Sequence, residues 1–254
     1  MASKTTKDEE IQVIKVNEGQ IDFYVLGKSP LILNRMSEKA ARELLLPRKK
    51  TAADKAANLK HNPPEEYRAS VYRDNDPKAP ARLLLPATAF KGAMRSAAID
   101  LPGAAKAQIG RLTYVPGDYV HIFGVPKLLC AITRSADMNK TPDVRTRAIV
   151  PEWCAKVSVR YVKPLLNDQT VANLLAAAGI IRGVGDGRPE KGWGSYGQFT
   201  LVNKDDADFA RILKTGGAKA QDAALGQPEA YDAETSELLT WFSTEATRRG
   251  FAVA

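Results

Sequence analysis

The stretch Gly183-Val-Gly-Asp-Gly-Arg-Pro-Glu-Lys-Gly-Trp-Gly-Ser-Tyr-Gly197 places six glycines in fifteen residues, with Arg188, Lys191, Trp193 and Tyr196 among them. A flexible linker would be Gly/Ser-rich and free of cations and rings. Here glycine lets the backbone take positive φ and approach a ligand that Arg, Lys and aromatic side chains would hold. The plainer reading is a helix C-cap followed by a long turn. Before the loop, Val171, Leu174, Leu175, Ala178 and Ile181 recur at helical spacing; after it, 198–203 reads as a short strand. The loop therefore joins a helix to a strand. That order excludes a dinucleotide fingerprint, which follows a strand and opens a helix, and no Gly-Lys-Ser/Thr ending is present for a phosphate-binding P-loop.

With 254 residues, 44% of them hydrophobic, the chain can bury a core without staples. Two cysteines, Cys130 and Cys154, and no apolar run of membrane-spanning length point to a soluble, reduced, cytoplasmic protein. The formal charge is +8; residues 204–254 hold six Lys/Arg and nine Asp/Glu, or −3, so residues 1–203 hold +11. A polyanion would bind that basic part.

In chain order, 1–10 is a polar tail, and strand signals begin at Ile11 to Val16. After a turn expected at Asn17 to Gly19, Ile21, Phe23 and Val25 alternate with Asp22 and Tyr24 as in a half-buried strand. Ser37 is placed to cap a helix through Ala40, Ala41, Leu44 and Leu45, which Pro47 stops. Residues 48–80 lose periodicity and read as an insertion that is mobile or orders against a partner. Residues 102–110 read as a loop. Strand patterns follow at 112–115, 119–123 and 128–133, and 134–147, with Arg134, Lys140, Arg145 and Arg147, reads as a protruding basic hairpin or, more plainly, as a disordered surface loop with a few charges. The clearest strand alternates Ala155, Val157, Val159 and Tyr161 with Lys156, Ser158 and Arg160.

The second informative stretch is Leu83-Leu-Leu-Pro-Ala-Thr-Ala-Phe-Lys-Gly-Ala-Met-Arg-Ser-Ala-Ala98. Three leucines end a buried strand, Thr88 is placed as an N-cap, and Phe90, Met94, Ala97 and Ala98 form the apolar face of a helix. Lys91 and Arg95 stand four apart on another face. Like charges at that spacing repel by roughly 0.2–0.5 kcal/mol, and cations near a helix start oppose its dipole. A phosphate would reverse both costs, and Gly92 leaves it room. The alternative is an ordinary amphipathic helix with solvated Lys and Arg.

The element order is a strand, a helix at 88–99, strands at 127–133 and 146–162, a helix at 168–182 and a strand at 198–203. This predicts an α+β, ferredoxin-like βαββαβ unit with insertions. Leu85-Pro-Ala-Thr-Ala-Phe-Lys-Gly-Ala-Met-Arg95 resembles the Pro-Gly-Ser-Ser-Leu-Lys-Gly-Ala-Leu-Arg signature of the RAMP superfamily, and Gly183 to Gly197 resembles its glycine-rich loop. The likeness covers 20–203 and is to the backbone subunits of CRISPR effector complexes. It implies an RRM-like palm whose Lys-Gly helix and glycine loop face the backbone of a guide RNA. It also implies a thumb hairpin at 134–147 reaching the neighbouring subunit. The implied partners are single-stranded guide RNA, its complementary target, copies of the same chain and other effector subunits, with no membrane. On this reading the nucleic-acid-binding residues are Lys28, Arg35, Lys91, Gly92, Arg95, Arg134, Lys140, Arg145, Arg147, Arg182, Gly185, Gly187, Arg188, Lys191, Gly192, Trp193, Gly194 and Tyr196. Residues 1–19 form a tail and strand, and 204–254 an acidic helical extension. Ala87 and Thr88 depart from the family's Gly-Ser.

No catalytic residue, metal or cofactor is expected, because no His/Cys/Asp/Glu spacing suggests a metal site and the family's cleaving aspartate finds no clear match. Two alternatives stay open. One is a processing or target-cutting ribonuclease of the same superfamily, with His61 or His121 as general base; the other is a phage-type or mobile-element coat or annealing protein on single-stranded DNA.

Overall fold

A computed structural model describes residues 13–46, 59–134, 142–191 and 194–251. The strands are β1 (Asn17–Gly27), β2 (Leu31–Leu33), β3 (Tyr72–Arg73), β4 (Leu83–Pro86), β5 (Thr113–Tyr114), β6 (Tyr119–Phe123), β7 (Lys127–Arg134), β8 (Pro142–Val150), β9 (Cys154–Lys163) and β10 (Phe199–Val202). The helices are α1 (Glu38–Leu45), α2 (Pro63–Ala69), α3 (Ala87–Ala97), α4 (Lys106–Leu112), α5 (Asp168–Ala177), α6 (Ala207–Thr215), α7 (Ala218–Gly226) and α8 (Ala233–Arg248).

The main sheet runs β10-β1-β9-β6-β4-β3, with β5 added beside β9, and its pairings are antiparallel. Within it β1-α3-β6-β9-α5-β10 forms the ferredoxin-like unit, its strands in the spatial order fourth, first, third, second. The alternation of β1 and β9 sends Phe23, Val25, Ala155, Val157, Val159 and Tyr161 into the core beneath α3 and α5. From α3, Phe90 and Met94 are fully buried there, and the Phe90 ring meets Phe199 edge-on with centroids 5.8 Å apart. Each such side chain contributes roughly 1.5–3 kcal/mol by leaving water. On the other sheet face, Lys156 and Arg160 are matched by β1 carboxylates, Asp22 at 3.6 Å and Glu18 at 3.2 Å. The cations of that face are thus neutralised in place.

Several expectations change. The second palm strand is Tyr119–Phe123, and Leu128–Thr133 belongs to a separate sheet ordered β2-β8-β7. β6 and β9 pair as far as Phe123 and Cys154; the chain then leaves the sheet toward Pro126, which has no amide to continue a ladder. The strand expected at 146–162 consequently divides into β8 and β9, with the β7–β8 hairpin inserted between the two palm strands. Asn17–Gly19 makes no turn: these residues pair with Lys163–Tyr161 as the start of β1. Residues 106–112 form α4, across the end of the expected loop and the first residue of the strand expected at 112–115. Of the segment 48–80, the residues from 59 onward order against their own chain. Tyr67 of α2 is fully buried, and its hydroxyl donates to the carbonyls of Pro126 at 3.2 Å and Ala224 at 3.1 Å. A seven-residue helix burying only Pro63 and Tyr67 leaves no periodic signature.

The C-terminal helices lie on the same body. Phe209 and Ile212 of α6 pack with Phe123 and Cys154. Gln221 of α7 is fully buried. Its Oε1 accepts from the amides of Arg82 (2.6 Å) and Leu83 (3.0 Å), and its Nε2 donates to the carbonyls of Ile122 (2.8 Å), Gly124 (3.0 Å) and Gly216 (2.8 Å). One amide thus satisfies the ends of β4 and β6 where no strand continues, which an apolar residue would leave unpaired. Cys130 and Cys154 are buried thiols, and burial pushes the Cys154 thiol up to about 12. Among the described residues no helix is long and apolar enough to cross a membrane.

Candidate nucleic-acid interface

Helix α3 begins one residue earlier than expected. Pro86 occupies the cap position and Thr88 makes no cap bond, so Arg95 falls in the last turn, where the helix dipole favours a cation. Lys91 is in the middle of the helix, and the expected conflict with the helix start does not arise. What distinguishes this face is isolation from carboxylates. Thr88, Lys91 and Arg95 of α3 and Ala107, Gly110 and Arg111 of α4 line a depression of about 520 Å³. Among the described residues, Lys91, Arg95 and Arg111 form no ion pair, in contrast to Arg182, Arg188 and Arg147. Gly92 lies on the same stripe one turn beyond Thr88, and a Cβ there would meet nothing within 4 Å. Glycine inside a helix costs about 0.5–1 kcal/mol relative to alanine, and no packing in this chain requires it. The sequence does not single out Arg111, because it falls between a stretch that reads as a loop, 102–110, and one that reads as a strand, from 112.

The glycine loop is built differently. Helix α5 closes through a wide turn, Ala178–Arg182, and Gly183 follows it. Gly197 has φ 69°, and a Cβ there would lie 1.7 Å from the Val184 carbonyl; Gly185 has φ 80°, and its Cβ would lie 2.6 Å from the Ile32 carbonyl. Both therefore serve close approach of the loop to its own chain. The Asp186 amide donates to the Ile32 carbonyl at 2.9 Å, and Asn34 Nδ2 donates to Asp186 at 3.1 Å, stitching the loop to β2. Gly187 supplies a carbonyl to the Tyr196 amide at 3.2 Å, and Gly194 packs against that same carbonyl.

The loop's arginines are engaged within the molecule. Arg182 pairs with Asp100, which follows α3. Arg188 donates to Glu190 at 2.8 Å and to the Gly185 carbonyl at 2.8 Å. Glu190 is half-buried, which alone would raise its pKa, but hydrogen bonds from Ser96 and Arg188 hold it below the usual carboxylate value. The Ser96 contact docks the loop on the end of α3. Arg147 of β8 is largely buried beside Asp186 at 3.7 Å; burial pushes its guanidinium below the usual value, against the pull of that carboxylate.

The remaining expected residues are spread out. Lys28 is exposed at the end of β1, and its amide donates to the Gln198 carbonyl at 2.8 Å, beside the loop. Arg35 lies 5.7 Å from the centroid of Tyr72, toward α2 and β3. Arg145 is exposed on β8 opposite Ala131. Lys140, Gly192, Trp193 and the side chains of Arg134 and Lys191 lie outside the described residues. Of the two histidines, His121 Nε2 is 2.9 Å from Asp74, and His61 Nδ1 is 3.0 Å from Glu66. The amide of Asp76, then the His121 ring, hold Asp74 below the usual carboxylate value. Among the described residues no group of three or more His, Cys, Asp and Glu side chains is placed to hold a metal ion.

No family model matches the chain. No curated protein matches it either. Solved structures do. One is a chain of the cryo-EM structure of the Type III-B Cmr-beta bound to cognate target RNA, at 12% identity and TM-score 0.42, covering 73% of this chain and 59% of that one. Another is the crystal structure of Cmr6 from Pyrococcus furiosus, at 11% identity and TM-score 0.39, covering 73% of this chain and 98% of that one. The chain thus spans about three fifths of the first of these two relatives.

Proposed function

We propose that the chain is an RNA-binding backbone subunit of a CRISPR-type ribonucleoprotein effector, which assembles side by side along a guide RNA through phosphate contacts and does not cut it. The observation that carries this reading is the depression between α3 and α4, which Lys91, Arg95 and Arg111 line with no carboxylate among the described residues. Three like charges on one concavity repel one another until an anion joins them, and a phosphodiester backbone supplies anions at regular spacing. The resemblance of the Lys-Gly-x-x-Arg helix and the glycine loop to the RAMP signatures supplies the guide RNA. The same resemblance supplies the complementary target, the copies of the chain and the other effector subunits as partners.

The test is fluorescence anisotropy of a labelled oligouridylate over a range of salt. On this reading log K falls against log[salt] by about 0.7 per phosphate contacted. Salt-independent affinity, or none, overturns it. Sequencing the nucleic acid that co-purifies tests the guide, and competition with single-stranded DNA tests the coat-protein alternative. The ribonuclease alternative has one observation in its favour, the His121–Asp74 pair, which borders a depression of about 370 Å³ shared by Lys156 and Ser158. Intact RNA after incubation with and without Mg²⁺ disposes of it; cleavage abolished by His121→Ala would establish it.

A further inference from the structure

Arg111 borders two depressions. On one side is the cationic depression already described; on the other is a second one, of about 470 Å³, whose lining includes Glu18, Arg111, Tyr114, Arg160 and Tyr161. The two differ in charge. The first is lined by three cations and no carboxylate among the described residues. In the second, Glu18 already answers Arg160 at 3.2 Å, and the Gln20 side chain accepts from Arg160 at 3.0 Å. A phosphate gains in the first and gains little in the second.

Tyr114 stands where the two meet. It is 51% exposed although it belongs to a strand, and the Lys91 ammonium lies 5.9 Å from the centroid of its ring. Its backbone is fixed: β5 pairs Thr113 with Tyr161 and Tyr114 with Arg160, and the buried Thr113 hydroxyl donates to the Ile109 carbonyl at 2.7 Å. The ring is thus a half-open apolar surface on a fixed backbone, one side chain away from the cationic depression. Every nucleobase has a π-face that such a ring can take, whereas bases stacked in a duplex offer theirs only at the ends.

Building on the reading under Proposed function, we infer that Tyr114 is a base-stacking platform. A single-stranded nucleotide sets its phosphate among Lys91, Arg95 and Arg111 and turns its base over Arg111 onto the Tyr114 ring, at the mouth of the second depression. The ligand class is therefore single-stranded nucleic acid carrying bases, and not a polyanion in general.

Two probes separate the contributions: a twelve-residue oligouridylate, and an abasic oligomer of the same length and backbone charge. The expected result is that Tyr114→Ala weakens the oligouridylate by about 5- to 100-fold and leaves the abasic oligomer unchanged. Tyr114→Phe, which keeps the ring, stays within about twofold of wild type on both. Arg111→Ala weakens both probes and lowers the salt slope by about 0.7. A Tyr114→Ala variant that loses both probes equally, or neither, overturns the stacking assignment. Wild-type protein that binds neither probe overturns the parent reading together with this one. Wild-type binding that Lys91→Ala/Arg95→Ala abolishes and Tyr114→Ala leaves intact overturns this inference only. Photocrosslinking of a 5-iodouridine oligomer gives a second readout that a structural role would not move: a peptide containing Tyr114 is expected, and its absence in a crosslinked complex counts against the platform.

Discussion

The glycine loop and helix α3 carry the same kinds of residue, cations set among glycines, yet the fold treats them in opposite ways. In the loop, glycines admit the protein's own backbone: Gly185 and Gly197 lie against the carbonyls of Ile32 and Val184, and Arg182 and Arg188 are tied to Asp100 and Glu190. On α3, Gly92 faces open space, and among the described residues Lys91 and Arg95 pair with no carboxylate, nor does Arg111 beside them. A glycine that a chain needs for itself is filled around; one that it does not need leaves room for something else. On the proposed reading, the loop serves architecture and the helix the ligand.

Charge reversal breaks this comparison most severely. Lys91→Glu/Arg95→Glu changes the charge facing the phosphates by four, and at 0.1 M salt the oligouridylate affinity is expected to fall on the order of 500-fold in a protein whose melting is unchanged. Anisotropy and circular dichroism check the two halves. The complementary pair, Arg182→Gln/Arg188→Gln, should do the reverse. Each side chain gives up charge-assisted hydrogen bonds worth about 1–3 kcal/mol, so Tm falls, while affinity in the folded protein stays within about threefold. If these substitutions cost more affinity than stability, the loop also faces the ligand. Gly92 sharpens the contrast: Gly92→Ala is expected to stabilise α3 by about 0.5–1 kcal/mol, and Gly92→Gln to keep the fold but set a long side chain beside Lys91 and weaken RNA several-fold.

The smallest effect is one of pH. Glu190 has its folded pKa below its unfolded value, so its contribution is present above the ordinary carboxylate pKa of 4.5 and is lost as pH falls through the lower folded value. Melting followed from pH 7 downward should therefore show Glu190→Gln less acid-sensitive than wild type below about pH 4.5, with no difference at neutral pH beyond a constant offset.

Much of the palm was legible. The strict alternation of β9 and the apolar face of α3 each carry a period, and the leucines of β4 a continuous buried run. β6 was misplaced in the topology for an opposite reason. It has five residues, and Tyr119 and His121 point to the sheet's other face, so the longer β7 resembles a palm strand better than the palm strand does. Gln221 left no trace, since a single amide in an Ala-rich helix has no period and its five partners lie about 100–140 residues away or across a turn. The division between engaged and open cations was hidden likewise: Arg182 is neutralised by Asp100 and Arg147 by Asp186, contacts that only the fold creates.

The central claim is that Lys91, Arg95 and Arg111, and not the arginines of the loop, hold phosphates. The most direct measurement is the slope of log K against log[salt] for a short oligouridylate, taken in wild type, in Lys91→Ala/Arg95→Ala/Arg111→Ala and in Arg182→Gln/Arg188→Gln. The account predicts that the triple variant's slope is shallower than wild type by about 2 and that the loop variant's slope is unchanged. Equal slopes in wild type and the triple variant, or a drop confined to the loop variant, would contradict it.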